Sequence, residues 1–200
     1  MHLPPPPIEP TEHPLRLLQE WLADARSAGL PEPHACAFVT ADTEGRPSAR
    51  TVSLKRVEDD ALVLTTALWT RKARELSANP NVALLFHWPS IGRQVHVTAR
   101  ARIAERSLAV ELFDERDMAH RVQTLVSRQG QEIDDLQPLR DLHAHLLDTL
   151  EAPPQCPEDW GAVRLQPSAI EFWQQSGDRI HERVLYSAGA DGWQRRLIAP

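Results

Sequence analysis

Four of the five cations in the stretch 50–72 stand at the ends of elements rather than scattered through them. Arg50 and Lys55 flank one β-type run, Arg50–Val57, and Arg71 and Lys72 follow a second, Leu62–Ala67. Thr70 is placed to cap a short helix through Leu76, stopped by Asn79-Pro80. Strand ends, a helix N-terminus with free N–H groups and fixed cations suit a phosphate or another anion. Read alone, the stretch fits a solvated basic surface equally well. A second constellation lies toward the C-terminus. Arg179, His181 and Arg183 alternate, which predicts one side of a strand, a few residues after Trp173. Three such groups in register repel one another unless something anionic or electron-rich lies against them. His143 and His145, two apart on a predicted helix, point to different faces and do not suit a shared metal, so no metal is expected.

The elements that position these groups are mainly β. Before the central stretch comes a helix from Pro14, with Leu15, Leu18, Trp21, Leu22 and Ala25 on one face and Gly29 at its end, read as a lid over a sheet. Cys36–Ala41 is a buried strand, turned by 42–47 into the run Arg50–Val57; the tight acidic connection 58–60 leads on to Leu62–Ala67. Asn81–Trp88 is another apolar strand. In Arg93–Ile103, Val95, Val97, Ala99 and Ala101 alternate with Gln94, His96, Thr98 and Arg100, so one face is dry and Gln94 begins the wet one. Strands joined by short turns over about 70 residues predict a closed or nearly closed antiparallel sheet. Helices follow: Leu108–Asp114 capped by Ser107, a segment from Asp117 to Arg128 with Val122, Leu125 and Val126 apolar, and an amphipathic Pro138–Leu150. After a proline-rich linker at 151–159, short strands are expected at Gly161–Leu165, Ala169–Trp173, Arg183–Tyr186 and Trp193–Ile198.

The organisation is one domain, 13–200, behind a proline-dominated arm, 1–12, expected to be extended and poorly ordered. Lys and Arg number 22 against 28 Asp and Glu, a net charge of −6. An acidic whole with a local basic cluster points to a small anionic ligand and away from nucleic acid or a membrane surface. The two cysteines, Cys36 and Cys156, have no metal-ligand spacing and suit a reducing compartment. With no signal-peptide pattern and no long apolar run, a soluble, cytoplasmic protein is expected.

The segments RTVSLK (50–55), TTALWTRKARELSANPNVALLF (65–86), RQV (93–95), SRQ (127–129), IEFWQ (170–174), RIHER (179–183) and RLIAP (196–200) resemble pyridoxine/pyridoxamine 5′-phosphate oxidases in order and spacing. The resemblance runs from about His13 to Pro200. It implies an FMN-binding split β-barrel with flanking helices, and a homodimer with FMN at the subunit interface. Arg50, Thr51, Val52, Ser53, Leu54 and Lys55 would lie along the flavin, Thr65 and Thr66 would contact it, and Arg71 and Lys72 would hold its phosphate. Gln94 matches a flavin-binding glutamine, and Gln129, Trp173 and Arg183 would arrive from the other subunit. Lys55, Arg116 and His120 stand at positions of the substrate's phosphate pocket, and Arg179 and His181 would face its pyridine ring. The implied reaction oxidises pyridoxine or pyridoxamine 5′-phosphate to pyridoxal 5′-phosphate and reduces O2 to H2O2.

The chain also departs from that pattern. Leu112 and His120 stand where the family's phosphate pocket uses a tyrosine and a serine, and Gly130 replaces the usual serine after Gln129. Two other readings therefore stand beside the B6 reaction: a related FMN oxidase acting on another ring, of the phenazine-precursor type, and a non-catalytic protein holding FMN or pyridoxal phosphate.

Overall fold

The computed structural model describes residues 7–200. Helix α1 (Pro14–Ser27) opens on a proline, where no intrahelical N–H is lost, and buries Leu15, Leu18, Trp21, Leu22 and Ala25. Four strands follow: β1 (Ala35–Ala41), β2 (Pro47–Ser53), β3 (Arg56–Val57) and β4 (Leu62–Ala67). Helix α2 (Arg71–Ala78) leads to β5 (Asn81–Trp88) and β6 (Arg93–Ile103). Three helices, α3 (Arg106–Asp114), α4 (Met118–Val126) and α5 (Gln137–Thr149), precede β7 (Trp160–Gln174), β8 (Glu182–Gly189) and β9 (Gly192–Leu197). None of the described helices is long and apolar enough to cross a membrane.

All strand pairings are antiparallel, in the order β2-β1-β5-β6-β7-β4-β3, with β8 and β9 continuing from β7. β2 and β3 stand at opposite ends of that order, yet only Leu54 and Lys55 separate them in the chain. Three Cα steps reach roughly 11 Å. The sheet must therefore curl until its ends meet. Leu54 and Lys55 form the seam: Leu54 N–H donates to His34 O, and Lys55 N–H donates to Val63 O. The single run expected at Arg50–Val57 is thus two strands, because the backbone changes partner from β1 to β4 at that corner.

The opposite correction applies to β7. The two strands expected at Gly161–Leu165 and Ala169–Trp173 are one, paired with β6 along its length. On its other side β7 pairs with β4 over residues 160–165 and with β8 over 169–174. Pro167 falls between those partners, at a register shift opposite Ala99, where its missing N–H breaks no ladder. The strands expected at Arg183–Tyr186 and Trp193–Ile198 extend to Gly189 and begin at Gly192.

Period-two alternation sends Phe38, Leu84, Phe86, Val95, Val97, Leu165, Ile170 and Phe172 into the barrel, all essentially inaccessible. Each such side chain contributes about 1.5–3 kcal/mol of burial free energy. α1 closes this core: the Trp21 ring meets Phe172 edge-on at 5.1 Å, and Arg93 lies over Trp21 while pairing with Asp24. The expected lid is the observed one. α3 covers part of the outer face, where Leu108, Ala109 and Leu112 pack on Val63 and Ala162. It begins at Arg106, with Glu105 rather than Ser107 in the cap position.

Residues 1–6 of the proline-rich arm lie outside the described residues. Its second half is docked rather than loose. Ile8 is buried in the main core, its N–H donates to Glu182, and Thr11 N–H donates to the Tyr186 hydroxyl. α5 has no buried residue; Leu142 and Leu147 of its apolar face stay exposed, and its helical neighbour is α4.

Candidate functional site

A cleft opens beside the seam of the barrel. Its floor is the end of β2 (Thr51, Val52, Ser53), Lys55 of the seam and the end of β4 (Thr65, Thr66, Ala67). Trp69 and Lys72 come from the start of α2, Arg116 from the α3–α4 corner, and Gln123 and Thr124 from α4. Ser127 and Gln129 follow α4, and Trp160 opens β7. Among the described residues no Asp or Glu lines it.

Three cations face this space. Lys72 is 7% exposed, and its ammonium donates to Gln129 Oε1 at 3.1 Å. Burial, then the Arg50 charge, push its pKa down. Lys55 is pushed down by burial and next by Arg116. Arg116 lies 4.6 Å over the Trp160 ring and 5.5 Å from Phe113, and donates to Thr124 Oγ1 at 2.7 Å. Its pKa is also lowered by burial. None of the three pairs with a carboxylate among the described residues. Partly desolvated cations without a counter-ion favour an anionic ligand. The indole N–H groups of Trp69 and Trp160 are buried with no hydrogen-bond partner among the described residues, which adds two donors at the cleft.

Arg50 and Arg71 of the central stretch are committed beneath it. Arg50 donates to Phe38 O, Thr40 Oγ1 and Ser48 Oγ and lies 3.5 Å from Glu75. Arg71, largely exposed, donates to Glu75 Oε1 at 2.6 Å. Thr40 and Ser48 pass their own hydroxyl protons to Glu75 Oε2. Burial pushes this carboxyl up, but the hydrogen bonds from Ser48, Thr40 and Arg71 outweigh it and hold the pKa at about 2. The network ties α2 to the β1–β2 hairpin and so fixes the floor of the cleft. Thr70 does precede α2, but its hydroxyl turns back to Ala67 O instead of capping the helix.

A second group lies along one row of the sheet. Gln94 pairs with Trp173, and Trp173 with Arg183, across β6, β7 and β8. Arg183 is clasped by Glu171, and its remaining terminal nitrogen donates to Ala199 O. The His181 ring stands 4.8 Å from Trp173, and Ser176 N–H donates to its Nδ1, which puts the neutral ring's proton on Nε2. The expected strand face bearing Arg179, His181 and Arg183 does not form. β8 begins at Glu182, and Arg179 sits in the preceding turn at φ 69°, a left-handed conformation that breaks alternation.

The cleft therefore gathers Thr51, Val52, Ser53, Lys55, Thr65, Thr66, Lys72, Arg116 and Gln129, but not Arg50, Leu54 or Arg71. Leu54 points into the core. Gln129, which the resemblance assigns to the other subunit, lies in the cleft of its own chain. His120 is not among the lining residues; it is exposed, its ring is held by Asp117, and its backbone N–H caps α4 on the same carboxylate. Leu112 is buried under α3. The sequence reading missed Trp69, Gln123, Thr124, Ser127 and Trp160. Residues 123, 124 and 127 share one face of α4 by helical spacing, a polar signal hidden beside Val122. Leu125, one of the apolar positions of that segment, is exposed, whereas Thr124 is buried.

Residues 22–143 match the family model described as pyridoxamine 5′-phosphate oxidase, and residues 160–200 match the pyridoxine 5′-phosphate oxidase C-terminal dimerisation region. The chain is 38% identical over 188 residues to the pyridoxine/pyridoxamine 5′-phosphate oxidase of Rubrobacter xylanophilus, covering 94% of this chain and 87% of that one. It is also 38% identical over 183 residues to the Burkholderia thailandensis protein of that name, covering 90% and 86%. Among solved structures, PhzG from Burkholderia lata, in complex with tetrahydrophenazine-1-carboxylic acid, superposes with a TM-score of 0.88. That match is 31% identical and covers 96% of this chain and 95% of the other. A pyridoxamine 5′-phosphate oxidase-related, FMN-binding protein from Nostoc punctiforme shares the fold, at TM-score 0.77 and 17% identity over 92% and 96% of the two chains.

Proposed function

The chain belongs to the pyridoxamine 5′-phosphate oxidase family, an FMN-dependent oxidoreductase family, and from that premise we propose that it oxidises pyridoxine or pyridoxamine 5′-phosphate to pyridoxal 5′-phosphate with O2 as electron acceptor, giving H2O2. The observation that carries this reading is the cleft that no Asp or Glu among the described residues lines, with Lys55, a buried Lys72 and a partly buried Arg116 around it. Two phosphate-bearing molecules, FMN and substrate, account for three cations around one cleft.

The residues present fit FMN. Lys72 with Thr66 and Gln129 would hold its phosphate, and Thr51, Val52, Ser53 and Thr65 would line the flavin. The orphaned indole N–H groups supply donors that the chain itself does not use. When bound, FMN supplies the hydride acceptor and the route of electrons to O2. The protein's share is charge, orientation and exclusion of water. Lys55 and Arg116 bind the substrate's phosphate; Arg179 and His181 orient its ring, and neither is assigned as an obligatory base.

The cleft of one chain, at about 210 Å³, is smaller than the ~300 Å³ at which ligand pockets begin. The row Gln94–Trp173–Arg183 with His181 and Arg179 is a second half, and a homodimer through residues 160–200 brings it to the partner's cleft. Arg179→Ala is accordingly expected to cut turnover by about a hundredfold while FMN retention stays within twofold; turnover and bound flavin are measured on the same preparation, and equal loss of both contradicts this division.

A second reading, an FMN oxidase acting on another ring, is favoured by one observation. Leu112 and His120 leave the phosphate end without the tyrosine and serine expected there. The deciding experiment mixes FMN-loaded protein anaerobically with each B6 phosphate and then admits oxygen. Flavin bleaching with pyridoxal 5′-phosphate formed after reoxidation supports the B6 reaction. Yellow protein that does not bleach removes it.

A further inference from the structure

We propose that Thr124 is a positioning residue of the substrate-anion subsite, holding the Arg116 guanidinium over the Trp160 ring so that Arg116 and Lys55 act together on one doubly charged phosphate monoester. The proposal rests on the oxidase reading above and deepens it. Thr124 is 7% exposed, and its Oγ1 accepts from Arg116 at 2.7 Å. The same hydroxyl donates its only proton to His120 O, one turn back at 3.0 Å, so toward Arg116 it can only accept. A buried acceptor with its proton already committed is a fixed anchor for a guanidinium.

The anchor has a task. Both line the same cleft, and Arg116 is the charge that most opposes protonation of Lys55, second only to burial. Left free, two cations with no carboxylate between them swing apart into water. Arg116 is prevented from doing so by Trp160 on one side, Phe113 on another and Thr124 at its tip. The pair then presents two charges at one place, which favours a dianionic phosphate over a singly charged carboxylate. With Leu112 buried and His120 turned to Asp117, neither of those residues supplies this function.

The test compares Thr124→Val, which keeps the shape and removes the hydroxyl, with Thr124→Ser, which keeps it. FMN-loaded proteins are titrated calorimetrically with pyridoxal 5′-phosphate and, separately, with inorganic phosphate. Thr124→Val is expected to weaken both about tenfold, the loss of one charge-assisted hydrogen bond, with FMN content unchanged. Its KM for the B6 phosphates rises by the same factor at constant kcat, and Thr124→Ser restores binding to within about twofold. Equal affinity of Thr124→Val and the unaltered protein overturns the proposal, as does a Thr124→Ser variant that behaves like Val. If Thr124→Val does not fold, Thr124→Ala replaces it in the same comparison. An unaltered protein that binds neither anion also overturns it. Anion binding that depends on Thr124 without any turnover upholds the proposal and removes the oxidase reading instead.

Discussion

Lys72→Met is expected to give a folded, colourless protein. In the free chain this ammonium is almost fully buried, hydrogen-bonded to the neutral Gln129 amide and paired with no carboxylate among the described residues. Burial and the Arg50 charge both oppose its protonation. A desolvated cation so placed costs the apo fold free energy that only an anionic ligand returns. Methionine keeps most of the packing and removes the charge. The variant should therefore unfold at the same temperature or a higher one without flavin, while its FMN affinity falls about a hundredfold. Thermal unfolding of the apo protein and quenching of flavin fluorescence on titration measure the two effects. An apo protein that is destabilised, or an FMN affinity that does not change, contradicts the assignment.

Glu75→Ala is expected to be the most damaging single substitution outside the apolar core. Its carboxylate receives Thr40, Ser48 and Arg71 and neutralises Arg50, so its loss leaves a half-buried guanidinium and two hydroxyls without their common acceptor. Breaking a buried charge network in this way costs about 3 kcal/mol or more. The same group governs acid stability. Its folded pKa of about 2 lies below the ordinary 4.5, so its contribution is fully present above pH 4.5 and is lost as the pH falls toward 2. Urea midpoints measured from pH 7 down to pH 2.5 should drop over the lower part of that range. In Glu75→Gln the drop should be smaller and the neutral-pH midpoint already reduced. Parallel pH curves for the two proteins would remove Glu75 as the source.

Residue pattern carried the strands and the lid helix, because period-two and period-3.6 burial are local properties. It did not carry the seam. Arg50–Val57 reads as one strand, since nothing in those eight residues records that the pairing partner changes at Leu54-Lys55. The site was legible in part for a related reason. Lys55 and Lys72 were visible as cations at element ends, and both line the cleft. Arg50 and Arg71 looked alike in sequence, but Glu75 sits one helical turn beyond Arg71 and takes both. The α4 wall was missed because Thr124 works as a buried acceptor, whereas the pattern rewards only apolar residues with burial. Arg179, His181 and Arg183 were read on one strand face because alternation was counted through a turn that Arg179 makes by a positive φ.

On the proposed reading no single chain holds a complete site: the cleft with Lys72 comes from one subunit, and the row with Arg179 from its partner. Chains carrying Lys72→Met and chains carrying Arg179→Ala, each nearly inactive as homodimers, are co-expressed with different tags, and the mixed dimer is purified. In that dimer one site receives both lesions and the other neither. The account predicts about half the wild-type turnover per dimer, with one FMN retained. A mixed dimer as inactive as its parents would show that both residues serve a site within one chain.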